Sequence, residues 1–246
     1  MKRIIACLLL ALAPLGAMAA SADVELDRAR NNLANTASLQ RGAKYFVNYC
    51  LGCHSLQYVR YNRLAEDLLL TEQQLAENLM FTADKPTEMM TIAMRPEDAE
   101  RWFGVTPPDL SLTARARGAD WIYTYLRSFY VDKSRPIGVN NTVLPNASMP
   151  HVLAPLQGYQ KATFEEGVDA DGNPTKHFSG FTEPEGGAMS PEEYDEVVRD
   201  IVNFMVYVAE PVQLRRQEIG MGVLAFLMVL FVFAYFLKRE YWRDVH

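Results

Sequence analysis

Five consecutive residues carry the most specific chemistry in the chain: Cys50-Leu51-Gly52-Cys53-His54. Two thiols about one helical turn apart, with an imidazole directly after them, suit covalent attachment of haem. Each thiol forms a thioether bond to the macrocycle, and the histidine swings beneath the ring to ligate iron. Other chemistries fit the pair less well. A disulfide here closes a very short loop and does little to constrain a domain of this size. Tetrahedral zinc needs further ligands, and the sequence has no second Cys pair or His-x-x-x-His to supply them. A thioredoxin-like redox pair asks for a preceding strand within a βαβ pattern, which the flanking residues lack. The expectation is a single covalent haem c, held by Cys50 and Cys53 and ligated by His54.

The opposite face of the iron then needs a ligand, and its identity separates an electron carrier from a gas binder or a peroxidase. His246 is the last residue of the sequence, and Met221 and Met228 fall in a long apolar run. Met149 stands apart in Asn146-Ala147-Ser148-Met149-Pro150, inside a proline-rich stretch far downstream of the haem motif. Pro150 stiffens that stretch and biases Met149 towards extended backbone, which lets a loop carry the sulfur round to the far side of a haem. Met149 is the leading sixth ligand, with His151, Met189 and His177 as the alternatives. A thioether there favours the ferrous state and raises the potential.

Helices must position these groups. Leu39, Gly42, Ala43 and Phe46 fall at helical spacing before the motif, with Ser38 as the expected N-cap and Gly42 offering a bare face for a close helix crossing. Ala65 to Met80 reads as one helix, 81–106 as mixed helix and loop, Pro107-Pro108-Asp109-Leu110-Ser111 as a rigid turn, and Ala119 to Tyr130 as an aromatic-rich helix. Residues 131–187 are rich in Pro, Gly and Asn and read as a long loop, with a hairpin or turn at 167–172. Ser190-Pro191-Glu192-Glu193 is a capping box, followed by the stripe Tyr194, Val197, Val198, Ile201, Met205 and Val208. The fold class expected is mainly α: a haem domain with long loop insertions and one C-terminal transmembrane helix.

Both ends of the chain point to a membrane. Residues 1–20 have the layout of a secretory signal peptide: Lys2 and Arg3, an apolar core, then small residues at Ala17-Met18-Ala19-Ala20. Ile219 to Leu237 is free of charge, long enough at about 1.5 Å per residue to nearly span a hydrocarbon core of about 30 Å, and is followed by Lys238, Arg239, Tyr241, Trp242 and Arg243. The expected organisation is a signal peptide at 1–20, a haem domain at 21–210, a linker at 211–218, a transmembrane helix at 219–237 and a tail at 238–246. Export places the haem domain in the periplasm of a bacterial inner membrane and leaves the tail in the cytoplasm. Removing residues 1–20 takes away two cations and no acid, which moves the formal net charge from −6 to −8. That disfavours nucleic acid and suits a basic protein partner, towards which Glu165, Glu166, Asp169 and Asp171 are candidate steering charges.

Taken in order, these landmarks resemble the cytochrome c1 family, the haem subunit of quinol:cytochrome c oxidoreductase (the cytochrome bc1 complex). The resemblance rests on CLGCHSLQYVRYNRL at 50–64, PPDLS at 107–111, RARGADWIYTYL at 115–126, RPIGVNNTVLPNASMP at 135–150, and VAEP followed by a single C-terminal span. It implies a cytochrome c-like fold and an electron-transfer subunit with no substrate-transforming site of its own. The implied neighbours are cytochrome b, a Rieske iron-sulfur protein as donor, and a soluble or anchored cytochrome c as acceptor. The resemblance also implies Met149 as the methionine ligand and Arg117 as the arginine beside a haem propionate, with Arg115 as its close competitor. An anchored cytochrome c serving a terminal oxidase, and a haem peroxidase or gas sensor with open iron, are the rival readings. Carbon monoxide binding separates the last of these from the rest.

Overall fold

The protein is described by a computed structural model covering residues 25–168 and 174–244. The signal-peptide segment, His246, and the acidic candidates Asp169 and Asp171 with most of the 167–172 turn lie outside the described residues. The first described stretch lies outside regular secondary structure and is tied to the helical core. The Asp27 and Ala29 N–H groups donate to Thr124 Oγ1 and Asp120 Oδ1 at 2.9 and 2.8 Å.

α1 (Thr36–Tyr49) buries Leu39, Gly42, Ala43 and Phe46, the face its periodicity predicts. Its N-cap is Asn35, whose side chain accepts from the Ser38 N–H at 3.1 Å, so the assignment of Ser38 as cap is corrected. Ser38 lies inside the first turn because its hydroxyl is needed elsewhere: it donates to Asp200 Oδ1 at 2.6 Å. After the haem motif come β1 (Leu56–Arg60), α2 (Tyr61–Asp67) and α3 (Glu72–Asn78). The single helix expected over 65–80 is therefore two. Leu69 takes a left-handed φ of 56°, and Thr71 starts a new helix through a capping box with Gln74. The stretch 81–106 holds the expected helix and loop, α4 (Pro96–Phe103) closing on Gly104 in the left-handed conformation, and also an unforeseen short strand, β2 (Met89–Met90), pairing antiparallel with β1.

α5 (Thr113–Arg117) and α6 (Ala119–Arg127) follow the PPDLS turn. α6 stops at Arg127 rather than Tyr130, because Phe129 onward joins a ladder: β3 (Phe129–Val131) pairs with β4 (Val139–Asn141). Beyond it lie α7 (Ala154–Gln157), β5 (Gly158–Tyr159), β6 (Ala162–Val168), β7 (Pro174–Phe181) and β8 (Glu185–Gly186). The stretch read as a long loop thus holds an extended hairpin of β6 and β7. It pairs Phe164 opposite Phe178, with ring centroids 6.1 Å apart. Cross-strand aromatic pairs of this kind stabilise a ladder that composition alone reads as turn.

α8 (Pro191–Ala209) starts at the predicted box, with Ser190 and Glu193 bonded reciprocally, and all six stripe residues are buried. It crosses α1 at Gly42, where an added Cβ would lie 2.1 Å from the Asp200 carbonyl oxygen. Phe46 and Phe204 meet beside the crossing at 5.6 Å. Burying two such rings contributes about 2 kcal/mol each in area terms. α9 (Gln213–Tyr241) is 29 residues long and wholly unburied, and its length and composition allow it to cross a membrane. It takes in most of the segment read as a linker.

Candidate haem site

The C-terminus of α1 forms the attachment turn. The Cys50 carbonyl accepts from the N–H groups of Cys53 and His54 at 3.0 and 2.9 Å, so both thiols and the imidazole project from one tight turn. Gly52 at its apex has open space where a side chain would be. Neither sulfur is in a disulfide. Burial pushes the Cys50 thiol up to about 12, with the neighbouring Cys53 adding to the rise. That is the reverse of the depressed thiol on which a dithiol redox centre depends.

His54 donates from Nδ1 to the Pro108 carbonyl at 2.7 Å, which leaves Nε2 as the free nitrogen. A ligand histidine is held and made more basic by this arrangement. Burial lowers its titration, opposed by the bond to Pro108 and the charge of Asp109. The PPDLS turn is the device that places that carbonyl. Asp109 accepts from the Gln57 N–H at 2.8 Å and from the Ser111 N–H at 2.9 Å, the Leu110 N–H donates to the Ser55 carbonyl at 2.9 Å, and the fully buried Ser111 takes the Tyr58 N–H at 3.3 Å. Reading this stretch as a rigid turn missed its part in orienting His54. The Asp-x-Ser spacing, a side chain bonding its own backbone two residues on, is the signal that reveals it.

A second group forms along α6. The Arg117 guanidinium lies over the Trp121 ring at 5.1 Å, Trp121 stacks on Tyr125 at 5.1 Å with planes 7° apart, and the Tyr125 hydroxyl donates to Met149 Sδ at 3.4 Å. Trp121 and Tyr125, four residues apart, stack on one side of α6, and Arg117 reaches Trp121 from the end of α5 across Gly118. Arg117 is exposed and in no ion pair among the described residues. Arg115, its competitor, is engaged with Glu210 at 3.6 Å. Burial pushes Tyr125 up to about 12, so it stays a neutral phenol and a donor.

The other candidate ligands sit elsewhere. His151 is sandwiched against Phe129 at 5.1 Å and meets Tyr159 edge-on at 6.3 Å, with burial lowering it to about 4. His177 is on β7, opposite Glu165 in the hairpin. Met189 packs on the core just before α8, its N–H held by the Leu156 carbonyl at 3.1 Å. Cys50 belongs to the core cluster against which Met149 packs, although no hydrogen bond joins the attachment turn to the α6 group among the described residues. Arg135 was not foreseen: its Nε is buried with no partner while Nη2 donates to the Asn146 carbonyl at 3.2 Å, three residues before Met149. The guanidinium is half-buried, and its charge is among the influences that lower the titration of the nearby Asp132 carboxyl.

The residues present therefore suit a covalently held haem: two unpaired thiols, an imidazole oriented through its other nitrogen, a thioether held by a hydrogen bond, and in Arg117 a cation outside any ion pair among the described residues. Comparison with known proteins agrees. Residues 31–245 match the cytochrome c1 family. The chain is 53% identical to cytochrome c1 of Allochromatium vinosum, over the full length of both. It is 48% identical to the ammonia monooxygenase gamma subunit of Nitrosomonas europaea, over 99% of this chain and 100% of that one. It is 28% identical to cytochrome c1 of Rhodospirillum rubrum, over 84% and 81%. Cytochrome c1 proteins carry a covalently bound c-type haem and serve as the electron-transfer subunit of the cytochrome bc1 complex. With this match over nearly all of its length, the chain belongs to the cytochrome c1 family.

Proposed function

We propose that Cys50 and Cys53 hold the haem through thioether bonds, that His54 Nε2 is the proximal ligand and Met149 Sδ the distal one, and that Arg117 pairs with a propionate. The observation that carries this reading is the His54 Nδ1 bond to the Pro108 carbonyl, which sets the ring's tautomer and leaves Nε2 free on the attachment turn. The haem, when bound, supplies a one-electron ferric/ferrous couple. The protein's own part is to hold both axial positions, so that no substrate reaches the iron, and to neutralise the propionates. Electrons are proposed to arrive from a Rieske iron-sulfur protein and to leave to a soluble or anchored cytochrome c. The negative formal charge of the chain supports a basic acceptor.

As a c1 subunit the chain is membrane-anchored and works with cytochrome b. We place its haem domain in the periplasm and its short tail in the cytoplasm. The export-signal layout of residues 1–20 is what supports that orientation, since cations flank the span on both sides, Arg215 and Arg216 before it and Lys238, Arg239 and Arg243 after it.

The test is an optical spectrum of the detergent-purified complex, parent beside Met149→Leu, with and without carbon monoxide. The parent is expected to be low-spin, to show the weak far-red band of methionine-ligated ferric haem, and to resist carbon monoxide. The variant is expected to lose the band and bind the gas. A high-spin parent that binds carbon monoxide sinks the distal assignment and the electron-transfer mechanism together.

A further inference from the structure

Tyr125 is held so that its hydroxyl meets the sulfur of Met149. Its ring stacks on Trp121 at 5.1 Å and takes Phe129 edge-on at 5.2 Å, and its backbone carbonyl accepts from Asn141 Nδ2 at 2.8 Å. The residue is 8% exposed, too little for the ring to swing out to water. The hydroxyl donates to Met149 Sδ at 3.4 Å.

A thioether sulfur has two lone pairs. One is available to iron while the other accepts a proton from a donor such as this phenol. A sulfur that accepts a hydrogen bond is a poorer electron donor, and ferric iron depends on that donation more than ferrous iron does. The bond therefore favours the reduced state. It also restrains the sulfur, since a methionine that leaves the iron must leave or drag the hydroxyl, and a buried hydroxyl without a partner is unfavourable.

We propose that Tyr125 is a positioning residue of the haem iron, raising its reduction potential and resisting ligand exchange through the hydrogen bond it donates to Met149. This rests on Met149 being the distal ligand. Tyr125 acts through the ligand and does not itself bind the metal, in the way outer partners tune other metal sites.

The experiment uses the haem-loaded chain in its purified membrane complex, comparing parent with Tyr125→Phe. Phe keeps the ring contacts and deletes one oxygen. The readouts are the far-red band, a redox titration followed at the haem c absorption, and imidazole binding to the ferric form. The variant is expected to keep the band, to show about a threefold lower ferrous-to-ferric ratio at fixed ambient potential, ~28 mV at 59 mV per tenfold for one electron, and to bind imidazole about threefold more tightly. Loss of the band in the variant alone supports the inference more strongly still. If the band stays and both other readouts match the parent, or the ratio rises, the inference is overturned while Met149 stands. If the parent itself lacks the band, the Met149 assignment falls and takes this inference with it. Should the Phe protein fail to assemble, 3-fluorotyrosine at position 125 keeps the ring and strengthens the donor. The ratio must then move upward, and an unchanged or lower ratio overturns the inference.

Discussion

Replacing Gly42 with alanine tests the packing that holds the attachment turn in place. A Cβ at this position would lie 2.1 Å from the Asp200 carbonyl oxygen, 2.7 Å from its carbonyl carbon and 2.7 Å from Phe204 Cβ. Backbone supplies two of these three contacts, so no side-chain rotation relieves them. α1 and α8 must part by about 1 Å or more, a gap at which roughly a quarter to a half of the dispersion attraction is forfeited along the crossing. Overpacking of this kind costs about 3 kcal/mol at the upper end of its usual range. Alanine's better helix propensity offsets about 1 kcal/mol of that. The net loss, about 2 kcal/mol, corresponds to a fall of roughly 4–8 °C in the melting temperature of a domain this size. The assay is thermal unfolding of the haem-loaded protein followed at the Soret band. If Gly42→Ala melts within about 1 °C of the parent, the crossing is not the constraint that the geometry makes it.

Two further outcomes follow from the same network of contacts. Asp109→Ala strips the acceptors from the Gln57 and Ser111 N–H groups, at a cost of about 2 kcal/mol for two hydrogen bonds. It also frees the Pro108 carbonyl, so the ferric electron paramagnetic resonance signal should broaden as the His54 ring loses its fixed angle; an unchanged line shape would show that Asp109 does not hold that carbonyl. Asp200→Ala leaves the buried Ser38 hydroxyl without its acceptor and Arg41 without its 2.6 Å partner. Because the Arg41 side chain is half exposed and can rehydrate, the expected loss is held to about 2 kcal/mol in urea denaturation. A loss under about 0.5 kcal/mol would mean that the pair is only decorative.

Short-range chemistry was the part legible in the residues themselves. Cys50, Cys53 and His54 share a turn because two- and three-residue spacings leave them little choice, and the Ser190 box starts α8 because both of its bonds close within four residues. The 19 charge-free residues from Ile219 to Leu237 mark the span, since an apolar run of that length and its environment are properties of composition. Gly42 as a site of close crossing was legible too, since the lack of a side chain is itself the signal. Whatever depends on a partner far along the chain was decided only by the tertiary structure. Ser38 has the chemistry of an N-cap, yet Asp200, 162 residues away, takes its hydroxyl and leaves the cap to Asn35. Likewise the Pro108 carbonyl beneath His54 and the Tyr125 hydroxyl on Met149 join residues 54 and 24 positions apart. Spacing along a chain specifies which groups share a turn, whereas the partner of each buried donor is chosen by the packing that excludes water from it.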